Sequence, residues 1–196
     1  MHKLFISLLN GIDMTTSKDH ALLGSPPSAW VCRFLPLLQP KAEVIDVACG
    51  SGRHLRLLHA MQFPVIGIDR DLSGVADLQG KSGLQLLEHD LEDGTPFPLA
   101  GRMFGGVVVI NYLHRPLLPA LIDAVAPGGL LIYETFAQGN ERLGRPRNPD
   151  FLLLPGELLE AVRGRLEVVA YEAGEVAVPK PAVVQRIAAR RSVPPV

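Results

Sequence analysis

The chain has 196 residues, enough for one well-buried core and short for two. Its hydrophobic content of 47% and charged content of 20% exclude an intrinsically disordered protein, which could not bury enough apolar surface to offset the entropy of ordering. With 19 basic and 20 acidic residues the formal charge is -1, so no overall field gathers nucleic acid or coats an anionic membrane.

Residues 1–27 are expected to form an N-terminal extension ahead of a single domain over 28–196. The apolar start, Leu4 to Leu9, is too short to span a bilayer and is followed by Asn10, Gly11 and Asp13 without a small-residue cleavage pattern, so a cytoplasmic protein is expected. Met14 offers an alternative start; the extension is expected to be disordered or in part a translation-start artefact. Cys32 and Cys49 are too few for a disulfide framework and sit in no paired motif, so both read as reduced thiols.

From Glu43 the pattern becomes regular. Val44 to Val47 is an apolar strand-like run, a glycine turn follows, and the next stretch places Leu55, Leu58 and Met61 on one helical face. Further strands are predicted at Val65 to Ile68, ending in acidic residues, and at Leu84 to Leu87, ending at His89 and Asp90. Gly106 to Ile110 is short and continuously apolar, as suits a strand covered on both faces. Pro116 opens a predicted helix to Val125; Pro127, Gly128 and Gly129 stop it, and a fifth strand follows over Leu130 to Thr135. Ala137 to Pro155, rich in Gly, Asn, Arg and Pro, reads as a long loop, and long loops in compact domains are often functional. A helix over Gly156 to Val162 leads to two runs, Leu166 to Ala173 and Val183 to Ala188, that can pair as an antiparallel hairpin. Alternating strands and helices imply an α/β fold with a parallel sheet between helical layers.

In such a sheet, ligands bind at the carboxyl ends of the strands, near the point where strand order reverses. The turn Asp46-Val47-Ala48-Cys49-Gly50-Ser51-Gly52-Arg53 lies at such an end, and its glycines allow positive φ and close backbone approach; a plain strand-to-helix junction is the competing reading. Asp69, twenty-three positions after Asp46, can accept both hydroxyls of a ribose. The dinucleotide fingerprint Gly-x-Gly-x-x-Gly lacks its third glycine, because Leu55 stands there, which disfavours NAD. Asp90, in Glu88-His89-Asp90-Leu91, can accept from an adenine amino group. His54, His59 and His89 have no metal-ligand spacing and read as surface or capping residues, so no metal is expected.

Together, VIDVACGSGR, VIGID, EHDLED, VVVINYLHRP and APGGLLIYE resemble, in order and spacing, the successive motifs of class I S-adenosylmethionine-dependent methyltransferases, over roughly residues 28 to 175. A narrower likeness points to the small bacterial enzymes of the tellurite-resistance methyltransferase type. The resemblance implies a Rossmann-like three-layer α/β sandwich with a seven-stranded, mostly parallel sheet whose last strand is antiparallel. It implies S-adenosylmethionine as cofactor and S-adenosylhomocysteine as product. By the same resemblance Asp46, Gly50 and Gly52 hold the methionine portion, Asp69 the ribose, and Asp90 with Leu91 the adenine, while Arg53 meets the carboxylate or lies solvated at the helix start. Ala48, Cys49 and Asn111 fall in the same cofactor-binding set, Cys49 as a small packing residue with nothing to support a nucleophilic role. Arg70 is placed over the adenine and Asp71 reads as a cap.

The acceptor side starts after strand four. His114 is a candidate general base because its free pKa lies near neutrality, a helix-start histidine being the alternative, and Tyr112 is the second catalytic candidate. Asn111-Tyr112 is followed by Leu113 and not by prolines, so the Asn-Pro-Pro-Tyr pattern of base methylases is absent. Candidate acceptor residues are Trp30, Arg115, Glu134, Asn140, Arg145 and Asn148. Arg142, Arg145 and Arg147 either clamp an anionic acceptor or pin their loop by pairing with Glu141 and Asp150. Trp30 either covers the sulfonium or packs in the core. The expected protein is a methyltransferase for a small-molecule acceptor, monomeric or homodimeric, with no membrane partner. Nucleic acid is disfavoured for want of a recognition domain or strongly basic face. A non-catalytic S-adenosylmethionine-binding sensor or partner protein is the alternative.

Overall fold

A computed structural model describes residues 26–194. Residues 1–25 of the expected extension, including the Leu4 to Leu9 run and Met14, lie outside the described residues. One sheet contains seven strands: β1 (Val44–Val47), β2 (Val65–Asp69), β3 (Leu84–Glu88), β4 (Phe104–Ile110), β5 (Val125–Phe136), β6 (Glu167–Val176) and β7 (Ala182–Arg190). Their order is β3-β2-β1-β4-β5-β7-β6. β1 pairs in parallel with β2 and β4, as do β2 with β3 and β4 with β5. β7 runs antiparallel to both β5 and β6, which makes it the single reversed strand.

Composition explains why β1 and β4 lie at the centre. Every residue of β1 is buried, as is every residue of β4 except Gly105, and β-branched side chains pack well on a pleat covered from both sides. Successive residues then face opposite layers. Ile45, Val47, Val107, Val109 and Tyr133 pack in one layer with helices α3 (Leu118–Asp123) and α4 (Glu157–Val162). Val44, Val108, Ile110 and Ile132 pack in the other with α1 (Ala29–Phe34) and α2 (Arg53–Ala60). Burying one such side chain contributes roughly 1.5–3 kcal/mol, so this two-sided apolar sheet is the main stabilising feature. No helix among the described residues is long and apolar enough to cross a membrane.

Three elements depart from the sequence pattern. β5 begins at Val125, and Pro127-Gly128-Gly129 lie inside it rather than ending the preceding helix. They form a bulge: β4 residues Phe104 and Gly106 pair with Val125 and Leu130, so three extra residues are looped out on β5. Gly128 has φ +76°, and a Cβ at Gly129 would stand 2.8 Å from Ala126 O, so the bulge needs both glycines. Between β2 and β3 there is a 3-10 turn (Ser73–Leu78) in place of an α-helix, and residues 89–103 contain no helix. Gly80, Gly83, Pro96 and Pro98 interrupt any helical run there. The helix expected over Pro116 to Val125 divides into a 3-10 turn (Arg115–Leu117) and α3.

Candidate functional site

β1 continues toward β2 on one side and is flanked by β4 on the other, so strand order reverses between β1 and β4 and a crevice opens at their carboxyl ends. The glycine turn fills the start of that crevice. Ala48, Gly50 and Gly52 have φ of 53°, 53° and 76°, so three residues of the turn lie in the left-handed region and one of them carries a Cβ. The two glycines do different work. Nothing lies within 4 Å of a Cβ built on Gly50, which leaves open space over its backbone, whereas a Cβ on Gly52 would be 2.4 Å from Val75 Cγ1. Leu55, which occupies the place of a third glycine, is fully buried, and a Cβ on Gly67 of β2 would come 2.5 Å from Leu55 Cδ1. Close packing of α2 on the sheet is thus obtained from Gly67 instead.

Asp46 is 1% exposed, and its Oδ2 has no hydrogen-bond partner among the described residues. Burial pushes its pKa up to about 7, against the opposing pull of the Arg53 guanidinium and the Leu55 backbone N–H, while Asp69 adds to the rise. An unmet carboxylate oxygen is costly unless a ligand donor or cation completes it. Asp69, half-buried at the end of β2, accepts from Gly50 N at 2.8 Å through Oδ2 and from Asp71 N at 3.1 Å through Oδ1. Each oxygen keeps a second lone pair for a hydroxyl donor. Asp71 accepts from Ser73 N, at the start of the following 3-10 turn, at 2.9 Å, although the capping position itself is taken by Leu72.

Other members of the predicted cofactor set lie along the same edge. Asp90 is exposed and accepts from Glu92 N at 2.9 Å; Leu91 packs half-buried on the core; Arg70 is exposed. Arg53 donates to Pro26 O at 3.3 Å, which draws the chain before α1 over the turn. Cys49 is buried, and burial together with Asp46 and Asp69 holds its thiol far above the ordinary range, so it is inert packing. Asn111 has φ 59°, a conformation Asn tolerates better than most residues, and its N–H donates to Glu134 O at 2.8 Å.

Tyr112 turns to the β3 side of the crevice. Burial raises its pKa, and the nearby carboxylates of Glu92, Asp90 and Asp69 raise it further, Glu92 foremost among them. This groups it with the predicted adenine and ribose residues more than with an acceptor. His114, half-buried just after β4, has extended backbone (φ −133°, ψ 101°) and makes no side-chain hydrogen bond among the described residues.

Several acceptor candidates prove to hold the structure together. Trp30 is 2% exposed in the core; its Nε1 donates to Ile187 O at 3.1 Å, and the cations over its ring are the guanidinium groups of Arg186 at 5.1 Å and Arg33 at 5.4 Å. Core packing is therefore its role, and the sulfonium-covering alternative is set aside. Arg115 forks onto Glu157 at 2.7 and 3.0 Å and also donates to Asp150 O at 2.7 Å and Leu152 O at 2.8 Å. Only one of its five N–H donors is left over, so it fixes the loop rather than meeting an acceptor. Asn140 is 1% exposed, accepts from Val183 N and donates to Pro146 O, both at 3.1 Å. Glu134 accepts from Ser28 Oγ at 3.1 Å and pairs with Arg186 at 3.3 Å. Asn148 caps the Pro149–Phe151 turn by accepting from Asp150 N at 3.1 Å, and Arg145 is exposed. Of the two alternatives for the loop arginines, pairing with Glu141 and Asp150 does not occur among the described residues: Arg142 pairs loosely with Glu175 at 3.8 Å, and Arg145 and Arg147 have no ion pair there.

His54 corrects another expectation. It is 3% exposed, and its Nε2 accepts from Ser28 N at 3.1 Å. Burial, assisted by Arg53, lowers its pKa to about 3, so the ring is neutral and fastens the start of α1 to α2. Sequence reasoning also passed over Glu92, Glu157 and Gln185. Glu92 was legible within EHDLED; Glu157 and Gln185 gain their roles from partners 42 and 31 residues away, for which no local pattern exists.

No protein-family model matches the chain, and no curated protein matches it. Solved structures do. TehB from Haemophilus influenzae superposes with a TM-score of 0.65 at 16% identity, covering 91% of this chain and 64% of that one, so the chain spans under two thirds of TehB. A S-adenosylmethionine-dependent methyltransferase from Methanosarcina mazei superposes with a TM-score of 0.63 at 15% identity, covering 86% of this chain and all of that one. This is the fold of the class I S-adenosylmethionine-dependent methyltransferases. The [4+2]-cyclase SpnF shares the methyltransferase fold, with a TM-score of 0.61 at 16% identity over 80% of this chain and 77% of that one. The fold therefore carries more than one activity, and the reaction has to be argued from the crevice.

Proposed function

We propose that the protein is a cytoplasmic S-adenosylmethionine-dependent methyltransferase acting on a small-molecule acceptor. The observation that carries this reading is the unmet, buried Oδ2 of Asp46 inside a turn whose Gly50 backbone is open to a ligand and tied to Asp69. These groups fit the cofactor: Asp46 and Gly50 would hold the methionine portion, Asp69 the ribose hydroxyls, and Asp90, Leu91 and Arg70 the adenine. Tyr112, whose hydroxyl lies near the carboxylates of Glu92, Asp90 and Asp69, joins this set. When bound, S-adenosylmethionine supplies a methyl group already activated on a sulfonium. What remains for the chain is to align donor and acceptor and to exclude water, and orientation of this kind is worth roughly 7–11 kcal/mol. His114 stands just after β4 with a ring that makes no hydrogen bond among the described residues, suited to take a proton from a hydroxyl or thiol acceptor.

Calorimetric titration with S-adenosylmethionine, S-adenosylhomocysteine and NAD in parallel tests the reading. Micromolar binding of the first two and none of NAD is expected; binding of NAD alone refutes it. Replacing His114 with Ala is expected to lower turnover with S-adenosylhomocysteine affinity kept, and unchanged turnover would remove the base role. A non-catalytic cofactor-binding protein is the second reading, because the fold by itself does not fix the activity. It predicts that bound donor is never converted to S-adenosylhomocysteine.

A further inference from the structure

Of the arginines in the described residues, all but three donate to a carboxylate or a backbone carbonyl. The three are Arg70, Arg145 and Arg147, and all lie on loops at the carboxyl edge of the sheet. Arg70 follows β2 and belongs with the cofactor residues. Arg145 and Arg147 stand on the loop after β5, which is unusually well anchored. Arg115, the neighbour of His114, holds the carbonyls of Asp150 and Leu152; Asn140 is buried beneath; Gln185 Nε2 donates to Leu154 O at 2.6 Å. Leu152 and Leu153 are buried, yet Phe151 and Leu154 on either side of them are 45% and 51% exposed. Arg115, Asn140 and Gln185 thus fix a loop whose exposed residues include two cations without an ion pair among the described residues and two apolar side chains. Elsewhere along this edge the charged residues are of both signs, Asp46, Asp69, Asp90 and Glu92 with Arg53 and Arg70.

We infer that this loop binds an acceptor carrying a carboxylate or phosphate on an apolar body, Arg145 and Arg147 taking the oxyanion and Phe151 and Leu154 the body. Guanidinium forks match both oxyanions, and Arg stays charged at any working pH. The inference rests on the methyltransferase reading of the crevice and names its substrate class.

The test uses the full chain saturated with S-adenosylhomocysteine and titrated with benzoate, phenyl phosphate and benzamide, followed by ligand-observed NMR. At least one of the two anions is expected to bind about tenfold or more tightly than benzamide, and which one binds separates carboxylate from phosphate. The R145A/R147A double variant is expected to lose about tenfold or more in affinity for that anion while S-adenosylhomocysteine affinity holds. F151A is expected to weaken the anion and benzamide alike. Equal binding of benzamide and the anions, no anion binding, or an anion affinity untouched by the double variant overturns the inference. So does displacement of the anion by micromolar single-stranded RNA, which would assign the arginines to nucleic acid. Absence of S-adenosylhomocysteine binding would instead strike the methyltransferase reading, and the same titrations on the protein without it keep the two failures apart.

Discussion

Replacing Asp46 with Asn separates what this residue contributes to stability from what it contributes to the site. The folded chain holds a proton on Asp46 up to about pH 7, whereas the unfolded carboxyl releases it near 3.8. Between those values the native state binds more protons than the unfolded state. Stability from this group is therefore fully present below 3.8, falls as pH rises, and is lost once pH passes through about 7. Three pH decades at 1.36 kcal/mol each put the loss at roughly 4 kcal/mol by pH 8. Asn keeps the shape and never ionises, but its buried NH2 donor needs a partner, which takes back about 1–3 kcal/mol. The Asp46→Asn protein is expected to be about 1–3 kcal/mol more stable than wild type at pH 8, a rise of roughly 2–4 °C in Tm per kcal/mol, and to show no advantage at pH 4. Thermal unfolding of both proteins without ligand, at pH 4, 6 and 8, measures this. A variant less stable than wild type at pH 8, or one with the wild-type pH slope, would refute the assignment of a strained carboxylate. Calorimetry on the same samples should show S-adenosylhomocysteine affinity of the wild type weakening below about pH 7 and that of the variant lowered throughout.

Asp69→Ala removes the acceptor for Gly50 N and the partner for two ribose hydroxyls, and a lowering of S-adenosylhomocysteine affinity by about 10- to 100-fold is expected, read by calorimetry with circular dichroism unchanged. Trp30→Phe deletes the buried hydrogen bond to Ile187 O, so a destabilisation of about 1–3 kcal/mol in chemical denaturation is expected with cofactor affinity kept; a loss of affinity at unchanged stability would return Trp30 to the site. Arg115→Ala frees half-buried Glu157 and two loop carbonyls. After allowance for partial exposure this costs about 2–3 kcal/mol, seen as a Tm lower by roughly 4–12 °C, and proteolysis should cut first within residues 145–155.

How much was legible in the sequence follows from how local each feature is. The four residues of β1, the glycine turn and the spacing from Asp46 to Asp69 are fixed by neighbours along the chain, and the structure holds them where the pattern puts them. Apolar periodicity also identified β4, α2 and the C-terminal hairpin, because burial on one or two faces leaves a direct trace in composition. The Pro127-Gly128-Gly129 bulge was hidden, since the same residues stop a helix and kink a strand equally well.

The sequence by itself determined the α/β class, the strand runs and the turn that opens the crevice, since each depends on residues a few positions apart. Only the tertiary structure decided that Arg115 and Asn140 anchor the loop and that Trp30 packs in the core, with His54 a buried acceptor and the Asp46 carboxylate left unmet. Those roles depend on partners such as Ile187, Glu157 and Ser28, which lie 157, 42 and 26 residues away. A side chain's type shows which bonds it can make; folding alone decides which of them it has already made.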